Sequence, residues 1–123
     1  MDMKLEVVPV PVSDVDRAKA FYVEQLGFQE DIDQRLNAQL RFVQLTPPAS
    51  ACSIVIGEGI THQEAGSLEG LILVVEDLQA TYAALSQRGV AVSEPARQPW
   101  GALHADFRDP DGNRWTLQQP AGR

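Results

Sequence analysis

Apolar positions along the chain follow two rhythms, and the order of the rhythms occurs twice. "LEVVPVPV" (Leu5 to Val12) is a β-prone run. It leads into "VSDVDRAKAFYVEQLGF" (Val12 to Phe28), where Val15, Ala18, Phe21, Tyr22 and Leu26 recur at helical spacing. Three further β-prone runs follow: "FQEDID", "AQLRFVQL" and "ACSIVIG". The second half starts again with "GLILVV" (Gly70 to Val75). A second helical stretch, "VEDLQATYAALSQRGV" (Val75 to Val90), carries Leu78, Tyr82 and Leu85 on one face, and the runs "VAVSE", "ALHADF" and "RWTLQQ" close the copy. Short side-chain oxygens stand ready to cap each helix start, from Ser13 or Asp14 in the first and Glu76 or Asp77 in the second. Gly27 and Gly89 fall where the helices should stop.

The pattern predicts an α+β fold of two βαβββ modules, module one over about residues 4–57 and module two over about residues 70–119. The polar segment "EGITHQEAGSLE", residues 58–69, links them. One such module is too small to bury a sheet face alone, so the whole chain, residues 1–123, reads as a single domain. Two curved sheets facing each other would enclose a cleft suited to a small molecule; alternatively, those inner faces pack together as core.

Composition narrows the function classes. Seventeen acids against ten bases give a formal charge of −7, which argues against a nucleic-acid partner and suits attraction of a cationic small molecule. No apolar run approaches the roughly 18 residues that a membrane span needs. The opening "MDMKLEVVPV" lacks the basic start and long apolar stretch of a secretory leader. Cys52 is the single cysteine, which excludes an internal disulfide and points to a reducing, cytoplasmic setting. Within "SACSIVIG" it reads as a buried strand residue rather than a nucleophile.

A hairpin signal, "FRDPDGN" (Phe107 to Asn113), precedes the last strand. Together with "PVSDVDRAKAFYVEQLGF" in the first copy and "VVEDLQATYAALSQRGV" and "QPWG" in the second, it makes nearly the whole chain, from about Lys4 to Gln119, resemble the vicinal oxygen chelate superfamily of glyoxalases, extradiol dioxygenases and bleomycin-resistance proteins. The resemblance implies a glyoxalase-like fold. In the enzymes of that group a divalent metal is held by side chains of both modules. Matched motif by motif, the usual ligand positions here carry Val7, Gly70 and Thr116. An isopropyl group, a hydrogen and a neutral hydroxyl do not replace the imidazoles and carboxylates that offset a cation's lost water. The expectation is therefore a chain with no metal and no cofactor.

Other polar candidates are weaker. His62 and Glu64 lie in the linker and read as solvated. His104 and Asp106 share a strand face by alternation, either toward the cleft or away from it, since a one-residue register slip exchanges the faces. Trp100 in "QPWG" is placed to stack on a flat ligand or to seal a core or dimer contact. Phe42 offers a second aromatic wall or packs as core, Ile54 and Ile56 an apolar floor on one of the two faces, and Val7 inherits the inward orientation of the ligand position it matches. Trp115 and Leu117 flank Thr116 and so belong to the opposite, core face. No serine-histidine-aspartate order with a nucleophile elbow, phosphate loop or CxxC pair occurs. Pro9 and Pro11 stiffen the first strand. In bleomycin-resistance proteins a proline-bearing first strand is exchanged between subunits, so the resemblance implies a homodimer with composite clefts. The sequence thus points to a non-catalytic protein that sequesters a small planar or cationic compound through Val7, Phe42, Ile54, Trp100, His104, Asp106 and Thr116. The competing expectation is a related lyase, isomerase or dioxygenase-like enzyme with substituted ligands, or one using His104 and Asp106 for proton transfer.

Overall fold

The structure is a computed structural model and describes residues 1–122. Its elements repeat as the pattern predicts. The first unit contains β1 (Val7–Pro9), α1 (Val15–Ala20) running into a π-helical turn (Phe21–Gln25), β2 (Gln29–Asn37), β3 (Leu40–Thr46) and β4 (Ser53–Glu58). The second contains β5 (Leu71–Val74), α2 (Leu78–Gln87), β6 (Ala96–Arg97), β7 (Leu103–Arg108) and β8 (Arg114–Gln119). Each unit forms a four-stranded mixed sheet, ordered β1-β4-β3-β2 and β5-β8-β7-β6. The strand preceding each helix pairs in parallel with the last strand of its unit, and the remaining pairs are antiparallel.

Local chemistry decides the boundaries. Asp14 rather than Ser13 caps α1, accepting from the Arg17 amide at 3.1 Å, and Asp77 rather than Glu76 caps α2, accepting from Ala80 at 3.1 Å. Prolines shorten two strands. Of the run Leu5 to Val12 only Val7–Pro9 forms strand, with the Glu6 carbonyl and the Val10 amide adding a bond to β4 at either end, and Pro11 has no amide with which to extend it. "VAVSE" is not a strand. Ser93 alone reaches β7, its amide donating to the Asp106 carbonyl at 2.9 Å, before Pro95 interrupts the edge. The short strand forms later, at Ala96–Arg97. Cys52 is half-buried in the turn before β4, not within the strand.

The helix-bearing sides of both sheets merge into one core. Val43, Leu45, Ile54 and Ile56 of the first sheet and Ala105, Phe107, Trp115 and Leu117 of the second are all buried in it. Aromatic rings from the end of the first helix and just beyond it join the halves: Tyr22 lies 5.8 Å and Phe28 6.0 Å from Trp115, and Phe21 lies 6.2 Å from Phe107. This shared core leaves the other faces of the two sheets outward. Neither sheet closes on itself or on its neighbour, and Ile32, Ile72, Val74 and Trp100 stand exposed. The cleft expected between the two inner faces is therefore open in the single chain.

The Asp109–Asn113 turn is part of the same framework. Buried Asp109 accepts hydrogen bonds from the Asp111 and Asn113 amides, from Asn113 Nδ2 and from the Tyr22 hydroxyl, all at 2.8–3.0 Å. Asn113 Nδ2 also donates to the Pro11 carbonyl at 2.8 Å, and Ser13 donates through its hydroxyl to Asp111 at 2.5 Å. The turn thus ties the last hairpin to the "PVSD" start of the first helix. Burial, reinforced by the Asp109 charge, raises the Tyr22 phenol far above its ordinary range and keeps it a donor.

Candidate functional site

Register decides which side chains share the outward faces. On the first sheet Val7 pairs with Ser53 and Pro9 with Val55, so these four point away from the core, as do Phe42, Gln44 and Thr46 of β3. Val7 and Phe42 are half-buried on that face. Ile54 is not there. It pairs with Leu45 and Val8, is only 4% exposed and lies in the core; Val55 takes the outward position beside it. Ile54 and Ile56 support the helix side rather than a ligand floor.

The outward face of the second sheet gathers the remaining candidates. Thr116 is directly opposite both Asp106 and Ile72, and His104 is opposite Gln118 and Ala96. Their neighbours Trp115 and Leu117 are 3% and 2% exposed in the core, which fixes Thr116 outward. The register question left by the sequence is settled: His104 and Asp106 share this face with Thr116. Trp100 does not seal the core. It is 63% exposed, with its indole edge-on to the His104 imidazole at 5.6 Å.

The polar groups here are committed to one another. The Thr116 hydroxyl donates to Asp106 Oδ1 at 2.7 Å, and Arg114 donates to Oδ2 at 2.8 Å. Partial burial pushes the Asp106 carboxyl upward, but the bonds from Arg114 and Thr116 outweigh it and hold the group below its ordinary value. Its charge is balanced by Arg114, so it is not a free anion awaiting a cation. His104 Nε2 lies 2.8 Å from Gln118 Oε1, and among the described residues it makes no hydrogen bond with Asp106. The two side chains are not arranged as an acid–base pair.

The metal-ligand positions fit a cation poorly. Val7 and Thr116 face outward as the matched positions require, but one has no donor and the hydroxyl of the other is already bonded to Asp106. At Gly70 there is open space for a side chain, yet the backbone sits at φ +96°, where any L residue is strained. Among the described residues no three His, Cys, Asp or Glu side chains stand close enough to share a metal ion. His62 and Glu64 are exposed in the linker.

Sequence reasoning missed several participants. Ile72 and Val74 supply an exposed apolar strip beside Thr116 and Gln118. Alternation from Thr116 gives Arg114 and Gln118 at once, but both types usually mean a solvated edge. On the first sheet, a chain of hydroxyls near Val7 was also unread: Ser53 Oγ is 2.6 Å from Thr46 Oγ1, which also bonds Asp31.

Comparison with known proteins agrees with this geometry. Residues 4–117 match the Glyoxalase/Bleomycin resistance protein/Dioxygenase superfamily. Among solved structures, TnmS3, an antibiotic binding protein from Streptomyces sp. CB03234, superposes with a TM-score of 0.88 at 40% identity, covering 98% of each chain. A member of the superfamily from Sphaerobacter thermophilus DSM 20745 gives 0.86 at 31% identity over 97% of this chain and 98% of that one. The uncharacterized protein YetH of Bacillus subtilis strain 168 is 26% identical over 121 residues, which span 97% of this chain and all of YetH.

Proposed function

The chain belongs to the glyoxalase/bleomycin resistance protein/dioxygenase superfamily, and from that premise we propose that it binds a small, partly planar toxic or antibiotic compound and holds it without transforming it. One observation carries the reading. The three metal-ligand positions hold Val7, Gly70 and Thr116, and the Thr116 hydroxyl is already bonded to Asp106. No group there can act as a Lewis acid's anchor, and His104 and Asp106 point to separate partners. What remains is a binding surface: an exposed indole, an apolar strip of Ile72 and Val74, and a rim of hydrogen-bonding side chains. Such a surface needs only burial and stacking to retain a ligand. The likeness to an antibiotic binding protein at 40% identity supports the same class of ligand. We further propose a homodimer, in which the open faces of two copies cover each other and Val7 and Phe42 of one copy complete the wall opposite Trp100 of the other.

Two measurements test the reading. In a thermal-shift screen of planar antibiotics, a ligand of the native state raises the melting temperature. Calorimetric titration of the best hit should then show W100A binding about tenfold more weakly, the loss of one aromatic stack; unchanged affinity removes Trp100 from the site. Elemental analysis of protein purified without chelator should show no stoichiometric zinc, nickel, manganese or iron. One equivalent of any of these overturns the non-catalytic reading.

A further inference from the structure

We propose that Arg108 and Arg114, with the Ser93 hydroxyl, form an anion subsite at one end of the second sheet's outward face, so that the ligand carries a carboxylate or similar acidic oxygens. The proposal rests on the binding reading above and specifies its ligand's chemistry.

The two arginines are directly opposite each other across the β7–β8 ladder, so their side chains leave the sheet on the same side. Like charges in that relation repel, and a folded chain tolerates them best where something negative lies between. Asp106 fills part of that role, bonding Arg114 at 2.8 Å; Glu69 also acts on Arg114 through space. Arg108 has no such partner. Among the described residues it forms no ion pair, and its one side-chain hydrogen bond goes to the Gly112 carbonyl at 3.3 Å. One guanidinium is therefore left with spare charge and spare donors beside a second that is only partly used.

The surroundings leave room for an anion. Ser93, Asp106, Arg108 and Arg114, with Ala91 and Phe107, line an open depression of about 430 Å³. Ser93 Oγ accepts from the Asp106 amide at 2.8 Å, so its own proton can be donated outward. The neighbouring strand does not intrude, because β6 pairs only with Leu103 and His104. Guanidinium forks match the two oxygens of a carboxylate, which makes arginine the better residue for this task than lysine. The net charge of −7 is no obstacle, since physiological salt screens charges beyond about 8 Å while a contact pair persists.

Geometry adds a length. His104, Asp106 and Arg108 alternate along one strand, so the Arg108 backbone lies roughly 14 Å from that of His104, whose imidazole Trp100 caps, at about 3.4 Å per residue. The arginine side chain reaches back over part of that span. A ligand stacked on Trp100 can thus place an acidic group against Arg108 only if it is extended, with the acid at its end rather than beside the stacked ring.

Anthracene-2-carboxylate and its neutral counterpart 2-anthracenemethanol test this by fluorescence anisotropy on the full chain. The carboxylate should bind about tenfold or more tightly than the alcohol, as expected for a charge-assisted pair. In R108Q that advantage should disappear, and in wild-type protein it should shrink as salt rises. Equal affinity of the two probes for wild type overturns the subsite while leaving stacking intact. An advantage that survives R108Q also overturns it. If neither probe binds at millimolar concentration, the subsite and the planar-ligand reading both fall.

Discussion

At Thr116 the hydroxyl proton points to Asp106, and that single bond changes what the carboxylate can do. Arg114 and Thr116 together favour the charged form over the burial that opposes it, so the folded carboxyl titrates below its unfolded value. The sign of the linkage follows: the stability these bonds contribute is complete above the unfolded value near pH 4 and drains away as pH falls through the folded one. D106A should accordingly be less stable than wild type at pH 7, by about 1 kcal/mol because the pair is partly exposed. In urea titrations at successively lower pH the gap should narrow below about pH 4; a gap that widens there would contradict the assignment. The residues themselves were unevenly legible. Thr116 was readable because alternation with Trp115 and Leu117 fixed its side. His104 and Asp106 could be placed on one face but not on which, until the β7–β8 pairing set them opposite Gln118 and Thr116, and Trp100 waited on its exposure. Ile54 was not, since Ser53, Ile54, Val55 and Ile56 are all buried and a strand covered on both faces has no alternation to read. Only pairing with Val8 and Leu45 reveals its face. Arg108 and Arg114 flank a turn, where charge normally signals nothing but solvent.

The elements were legible where periodicity and turn chemistry agree. β8 falls on the run "RWTLQQ" because Asn113 closes a sharp turn before it and Pro120 follows it. The π-helical turn was not visible: Val15, Ala18 and Tyr22 fit ordinary helical spacing, and nothing in them announces that Leu26 will donate to Phe21 five residues back. Nor could the hairpin's purpose be read. "DPDGN" signals a turn to any reader, but its long-range partners, Tyr22, Pro11 and Ser13, appear only once the helix is packed. That network makes a prediction about stability rather than function. In Y22F the Trp115 indole loses its acceptor, 2.9 Å away, and Asp109 loses a donor inside the core. Unsatisfied buried groups of this kind cost about 1–3 kcal/mol each, so the denaturation midpoint should drop clearly with little change in slope. If Y22F is as stable as wild type, the turn does not hold the two halves together in the way described.

For the whole molecule, the sheets share one core on their helix sides and keep their other faces open. The repeat legible in the sequence correctly implied two like sheets, yet it could not say how they meet, because that depends on Phe21, Tyr22 and Phe28 reaching across to Phe107 and Trp115. The consequence is exposed apolar surface at Ile32, Ile72, Val74 and Trp100 on the faces that carry the polar candidates. Isolated exposed apolar residues are ordinary, but Ile72 and Val74 alternate on one strand beside an exposed indole, the arrangement of a surface meant to be covered. In the proposed homodimer a second copy would cover it and build an enclosed cleft from surfaces that one chain leaves open. Sedimentation velocity should therefore give a particle of twice 13.5 kDa at micromolar concentration. I72E should shift it to the monomer without unfolding it, since Ile72 is 53% exposed in the single chain. Each copy carries a formal charge of −7, so two copies repel at long range and association should tighten as salt is raised. A wild-type chain that sediments as a monomer at every salt concentration leaves the open faces to the ligand alone and removes the composite cleft.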